Sequence, residues 1–278
     1  MSGYTTQQYD SLGNLIQTWD SNGRQENFAY DAADNRTLSM VSASGPPPPP
    51  VELVNLLDNA NFVMNQRGYV SGSPVPAANT YTVDRWRVVT AGQALSLSVN
   101  AGVRTVTAPA GGIEQVIEGL WIAGDTYTLS WTGTAVATVN GTAIGNGSAI
   151  ALPGGANATL RFSNGTVSLP QLQRGGIATP FEWRHPALEF LLCSRYFQRL
   201  ENIVLFRAVA GGNFAGGITS FTYLTGMRTL PSVTPIITSG NYNNPVIGVG
   251  STGGIIWFAD GSTPGDFAGY ILLLSAEF

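Results

Sequence analysis

The residues best suited to chemistry lie late in the chain: Asn241-Tyr242-Asn243-Asn244, then Trp257 and Asp260. An aromatic face stacks on the apolar side of a pyranose, and amide or carboxylate groups bond its hydroxyls. The polar, proline-flanked tetrapeptide is expected in an exposed loop, where binding residues collect. The competing structural reading makes Tyr242 the cap of a barrel end and Trp257 an alternating core residue. These six residues are the candidate carbohydrate-binding set.

Covalent chemistry has weaker support. Glu114 and Glu118, in Ile113-Glu-Gln-Val-Ile-Glu118, would need carboxyls about 5 to 9.5 Å apart to act as a glycosidase pair. The alternative is a solvated or hydrogen-bonded strand at the edge of a sandwich. Ser194 and His185 make a nominal nucleophile set without a Gly-x-Ser-x-Gly elbow. Gly211-Gly212 and Gly216-Gly217 lack the spacing of a phosphate cradle and read as turns. Asp84-Arg85-Trp86 is either a sugar subsite or, as expected here, a core tryptophan beside an internal Asp84–Arg85 ion pair. Cys193 is the single cysteine, which excludes a disulfide framework and a zinc cluster and leaves core packing. No catalytic set, metal or cofactor is expected, and the chain reads as a non-enzyme.

Composition agrees. The chain has 278 residues, 44% apolar and 11% charged, with net charge −4. That is long enough for two cores and well below the usual charge of a soluble domain. The acidic balance gives no footprint for nucleic acid or anionic lipid. All basic residues are arginine, whose planar fork keeps its charge when half buried. Abundant neutral polar residues fit a β-rich extracellular or virion protein. The longest aliphatic run, Ile271 to Leu274, is too short to span a bilayer, so membrane insertion is not expected. The polar opening Met-Ser-Gly-Tyr-Thr-Thr has no signal-peptide core, so synthesis in a cytoplasm without a secretion tag is expected.

The elements that would position these residues are almost all strands. In residues 1–44, Tyr9-Asp10, Trp19-Asp20 and Tyr30-Asp31 each precede a turn with Gly or Asp-Asn, at a spacing of about 10 residues. A short stack of hairpins follows, marginal on its own. Residues 45–50 lead through five prolines, a stiff polyproline II spacer. From 51 to 186, alternating segments such as Thr126 to Trp131 and Ala158 to Phe162 are separated by Gly and Asn clusters. This predicts a β-sandwich of jelly-roll type. Asn140-Gly141 and Asn164-Gly165 are candidate type I′ hairpin turns. Residues 187–278 open with one short helix, from Pro186 or Ala187 to about Leu200, and continue as a smaller C-terminal β domain. The fold class is therefore all-β: an N-terminal hairpin segment, a sandwich, and a small β domain joined to it by the helix.

Two blocks carry a family resemblance. One is Asn55-Leu-Leu-Asp-Asn-Ala-Asn-Phe62 with Asn65-Gln-Arg-Gly68 and Asp84-Arg-Trp86. The other is Thr179-Pro-Phe-Glu-Trp-Arg184 with Cys193-Ser-Arg-Tyr-Phe-Gln-Arg199, Met227-Arg-Thr-Leu-Pro231 and Ser275-Ala-Glu-Phe278. With the strand at Tyr127 to Trp131, residues 53 to 278 resemble the receptor-binding part of bacteriophage tail fibres. Asp58 departs from that pattern, standing where a small turn residue is usual. Residues 1–44 resemble the tyrosine-aspartate repeat of Rhs-type proteins. The resemblance implies adsorption: binding of host surface polysaccharide or lipopolysaccharide, a homotrimer, a place in the virion tail, and residues 1–44 gripping other tail proteins. The alternatives are a structural tail, collar or head-decorating fibre without a sugar site, a capsule depolymerase, and a piece of an Rhs effector.

Overall fold

A computed structural model describes residues 4–20, 25–33, 35–42, 54–206, 218–240, 245–258 and 267–278. The chain divides into two compact units, Met1–Leu53 and Val54–Phe278. The polyproline segment, 45–50, lies outside the described residues.

The first unit is an antiparallel meander of β1 (Tyr4–Tyr9), β2 (Leu15–Asp20), β3 (Gln25–Tyr30) and β4 (Arg36–Ser42), in that order. Its turns show why aspartate follows tyrosine. Asp10 Oδ1 accepts from the backbone N–H of Leu12 (2.9 Å) and of Asn14 (2.8 Å). Asp31 Oδ1 accepts from Ala33 and Asn35, both at 2.9 Å. Each carboxylate thus closes its turn by bonding the backbone two and four residues on. The connection containing Ser21 to Arg24 lies outside the described residues.

Both carboxyls are held below the usual aspartate value of 3.8, first by the N–H of Asn14 for Asp10 and of Asn35 for Asp31. A depressed carboxyl pKa stabilises the turn above the unfolded value, and that contribution is lost as pH falls through the folded one. Carboxyl-carbon NMR is expected to place both titrations below 3.8, with the turns opening as each is protonated. Titration at the ordinary value would mean that the carboxylates do not hold the turns.

The second unit begins with the sandwich. Its strands are β5 (Thr80–Tyr81), β6 (Arg87–Val88), β7 (Ser96–Asn100), β8 (Val103–Ala108), β9 (Ile113–Ile117) and β10 (Asp125–Thr132), then β11 (Val136–Val139), β12 (Thr142–Ile144), β13 (Ser148–Leu152), β14 (Ala158–Ser163) and β15 (Gly165–Arg174). They form a five-stranded sheet, β13-β10-β15-β8-β7, and a six-stranded sheet, β12-β11-β14-β9-β6-β5. Alternation sends Ala158, Leu160 and Phe162 of β14 inward and leaves Thr159, Arg161 and Ser163 on the outer face. The core centres on Trp86, whose ring lies 5.1 Å from Phe62 and 6.2 Å from Phe162, with Trp131 5.3 Å from Phe162.

Asn140-Gly141 (φ 51 and 79) joins β11 to β12 as a two-residue hairpin, with Val139 opposite Thr142. Asn164-Gly165 does not form the hairpin expected: β14 and β15 belong to different sheets, and this turn is the corner between them. Gly165 is needed for close approach, because a Cβ there would stand 2.6 Å from Ala135 N.

Beyond the sandwich come α1 (Pro186–Ser194), β16 (Phe197–Phe206), β17 (Ile218–Thr222), β18 (Ser232–Gly240), β19 (Pro245–Val249), β20 (Gly253–Phe258) and β21 (Phe267–Ser275). His185 caps α1, its Nδ1 accepting from Ala187 N–H at 3.2 Å, with Pro186 in the first turn. The helix stops at Ser194, not near Leu200. Phe197 to Leu200 pair with Ser275 to Leu272 of β21, and Gln198 is buried, bonding Ser194 O (2.9 Å) and Leu224 N–H (2.9 Å). In the sequence Leu188, Leu191, Leu192, Tyr196 and Arg199 recur at helical spacing, and sheet pairing overrides it from Phe197 on. Two three-stranded sheets result, β16-β21-β18 and β17-β20-β19, packed around Phe221, Ile256, Tyr270, Leu272 and Leu274.

Candidate functional site

The motif blocks converge, and what they build is a buried junction. Asn55 donates through Nδ2 to Pro170 O (3.0 Å) and accepts at Oδ1 from Leu57 and Leu172 N–H. Its own N–H donates to Glu182 Oε2 (2.7 Å), and Arg184 donates to Leu57 O (3.1 Å) and to Asn55 O. Asn59, in the left-handed region at φ 51, has its N–H bound by Glu189 of α1.

Asp84 and Arg85 are both buried, but they are not each other's partner. Asp84 accepts from Gln66 N–H (3.0 Å) and Gln66 Nε2 (2.8 Å) and faces Arg67 Nη1 at 3.5 Å. The left-handed backbone at Arg85 (φ 70) turns its side chain to Asp58 (3.1 Å), Glu277 (2.7 Å) and Val116 O (2.6 Å) instead. Its guanidinium lies 3.4 Å over the ring of Tyr196. Arg67 Nη2 also reaches Glu277 (3.2 Å). Burial opposes charge on Arg85, yet Glu277 and Asp58 more than offset it and raise its pKa above the ordinary arginine value. For Asp84 burial dominates and its pKa is raised, with Arg67 and Gln66 opposing. Asp58, the departure from the tail-fibre pattern, supplies one of Arg85's carboxylates. These residues tie the sandwich to the C-terminal sheets and offer no open surface to a ligand.

The carboxylates considered for glycosidase chemistry are also engaged. Glu114 sits inside the six-stranded sheet, on β9 between β14 and β6, rather than at its edge. It accepts from Arg87 Nε (2.8 Å) and from Arg161 Nε (3.0 Å) and Nη2 (2.8 Å). Glu118 accepts from Arg195 (3.1 Å) and Tyr196 Oη (2.7 Å); burial would raise its pKa, but these bonds bring it below the usual value. His185 and Ser194 stand at opposite ends of α1, about 13 Å apart along its axis, and Ser194 Oγ donates to Phe190 O (2.7 Å). Cys193 is buried, which pushes its thiol pKa well up. Gly211, Gly212, Gly216 and Gly217 lie outside the described residues. Among the described residues, no group of three His, Cys, Asp or Glu stands ready to hold a metal ion, and no helix is long and apolar enough to cross a membrane.

Of the carbohydrate-binding set, Asn241, Tyr242, Asn243, Asn244 and Asp260 lie outside the described residues. Trp257 is on β20, and its neighbour Ile256 is fully buried in the core. Alternation therefore puts Trp257 and Ile255 on the outward face of β17-β20-β19, so Trp257 is not the core residue of that pair. Ile255 is 43% exposed and Trp257 half-buried. Gly248, opposite Ile255, leaves bare backbone between them: a Cβ there would lie 3.4 Å from the indole and 3.5 Å from Ile255.

This face borders two grooves. One, about 450 Å³, is lined by Gly248, Val249, Thr252, Gly253 and Ile255. The other, about 560 Å³, is lined by Arg199, Glu201, Ile203, Ser220, Thr222 and Leu224. Pro245 and Phe258, the described residues nearest the Asn241–Asn244 and Asp260 segments, are paired across β19 and β20. Among the described residues, two further indoles are exposed that sequence patterning did not single out: Trp183 (61%), edge-on to Phe181, and Trp121 (56%), on a 3-10 turn at Gly119–Trp121. Neither sits in an alternating strand, so no periodicity marks it.

The fold is thus an all-β one: a sandwich, one short helix and small three-stranded sheets, preceded by a hairpin segment. Residues 9–46 match the family model described as RHS Repeat, and an N-terminal RHS-repeat segment is present. No curated protein and no solved structure matches the chain.

Proposed function

We propose that the chain is a non-catalytic adsorption protein of a bacteriophage tail fibre that binds host cell-surface glycan. The observation that carries the reading is the Trp257 indole on an outward sheet face, lying beside the bare backbone of Gly248, which lines one of the grooves. An aromatic half-buried on a flat face gives a pyranose a rigid stacking surface at little entropic cost. Ser220 and Thr222 supply hydroxyls on the same face. Weak single contacts would be multiplied by several copies, as a homotrimer on one virion, with residues 1–44 attaching to other tail proteins. The engagement of Glu114 and Glu118 by arginines weighs against a depolymerase reading that uses that pair.

The test is a bacterial glycan array probed with the full chain, with mass photometry on the same sample. Saturable binding to one glycan class is expected, weakened about tenfold or more by Trp257→Ala. Binding that survives Trp257→Ala would move the site elsewhere. A trimer that binds nothing would favour a structural fibre.

A further inference from the structure

The outer face of the six-stranded sheet carries a third groove, of about 290 Å³, in the sandwich rather than the C-terminal sheets. Its floor is Thr159, Arg161 and Ser163 of β14 with Thr138 of β11, and the turns at Gly111 and Gly141 flank it. Alternate strand residues are spaced so that Thr159 and Ser163 stand about 13 Å apart.

Three features make this a built site. First, a row of side chains crosses the sheet in register: Arg87 beside Glu114, Glu114 beside Arg161, Arg161 beside Thr138. One carboxylate lies between two guanidiniums, so cations outnumber anions in the row, and Arg87 is further engaged through Nη1 by Phe278 O (3.1 Å). Second, the surplus faces the groove. The Arg87 side chain is 16% exposed and that of Arg161 42%. Arg161 uses Nε and Nη2 on Glu114, and its Nη1 has no partner among the described residues. Its stem is pressed against Gly112, where a Cβ would stand 2.8 Å from Arg161 Cγ, so the fork is held in place before any ligand arrives. Third, the hydroxyls of Thr138, Thr159 and Ser163 bond no group among the described residues, although all three residues are half-buried in the groove.

We infer that this groove binds a carboxylate-bearing saccharide of the uronic-acid type, its carboxylate on Arg161 Nη1 and its hydroxyls on the threonines and serine. A single free guanidinium edge among hydroxyls matches one carboxylate ringed by alcohols. A phosphate-rich ligand draws clustered cations, and the groove has one. The inference rests on the surface-glycan reading only for the saccharide class, because the site is separate from Trp257.

The test is calorimetry on the full chain with tri-galacturonate and with its fully methyl-esterified counterpart. Tri-galacturonate is expected to bind with Kd below about 1 mM, and the ester about tenfold more weakly. Arg161→Gln should weaken tri-galacturonate binding about tenfold. Thr138→Trp, which fills the groove and leaves the Arg87–Glu114–Arg161 row intact, should abolish it even where Arg161→Gln disturbs the fold. Trp257→Ala should leave it unchanged, which separates this site from the other. Absence of binding, equal binding of the ester, or binding that survives Thr138→Trp would overturn the inference. So would loss on Trp257→Ala, or equal competition by inorganic phosphate.

Discussion

Glu277→Gln is expected to destabilise the protein by about 3–5 kcal/mol, the usual cost of removing one partner from a buried ion pair. The side chains of Arg85 and Glu277 are 1% and 4% exposed, so neither can turn to water. Arg85 keeps Asp58, but loses the charge that approaches most closely, and Arg67 loses the same partner. The measurement is urea unfolding of wild type and variant, with a lowered midpoint at unchanged slope. A loss under about 1 kcal/mol would be the behaviour of an exposed pair and would contradict a buried junction. Arg85→Met combined with Glu277→Leu should recover much of the loss, since removing both charges avoids leaving one unpaired.

Asn59→Ala is expected to cost about as much, roughly 3–5 kcal/mol, by a different route. Asn59 is fully buried, and its amide donates to Met64 O (2.9 Å) and Asp84 O (2.8 Å) while accepting from Met64 N–H (2.8 Å). Truncation leaves Asp84 O and Met64 N–H without their side-chain partner, while Met64 O keeps the N–H of Asp84 (3.1 Å). Alanine must also hold φ 51, a left-handed conformation that asparagine tolerates better. Asn59→Gly removes the backbone strain and keeps the hydrogen-bond loss, so it should fall between alanine and wild type, by about 1 kcal/mol on the alanine side. Equal stability of all three in urea would mean that Asn59 does not hold the junction. Both substitutions act on motif residues and should act through stability, leaving the outward face around Trp257 unchanged in the folded fraction.

What could be read from the sequence was local. The aspartate-capped turns after Tyr9 and Tyr30, the alternating strands of the sandwich and the Asn140-Gly141 hairpin each depend on residues a few positions apart. What escaped depends on which strands become neighbours. Helical spacing through Tyr196 and Arg199 gave way because β21 captures Phe197 to Leu200. Asn164-Gly165 has hairpin chemistry but turns the chain between two sheets, and only the approach of Ala135 explains its glycine. Asp84 and Arg85 are adjacent and oppositely charged, yet a left-handed residue and a distant Glu277 part them. Arg87 and Arg161 meet on Glu114 only because β9 runs between β6 and β14, and no periodicity carries that. At Trp257 the alternation was legible, but which parity faced the core was not. That was fixed by Phe221, Ile256 and Tyr270 packing on the other side.

The chain has six tryptophans, so an indole N–H spectrum reports each candidate stacking surface separately. The most direct test of the central claim is to titrate the full chain with a carboxylate-free oligosaccharide selected on the array, which the Arg161 groove is not expected to take, and follow those signals. Trp257 is expected to shift and saturate with the ligand, while buried Trp86 and Trp131 stay in place. Saturable shifts confined to Trp121 or Trp183, or binding with no change at Trp257, would contradict it.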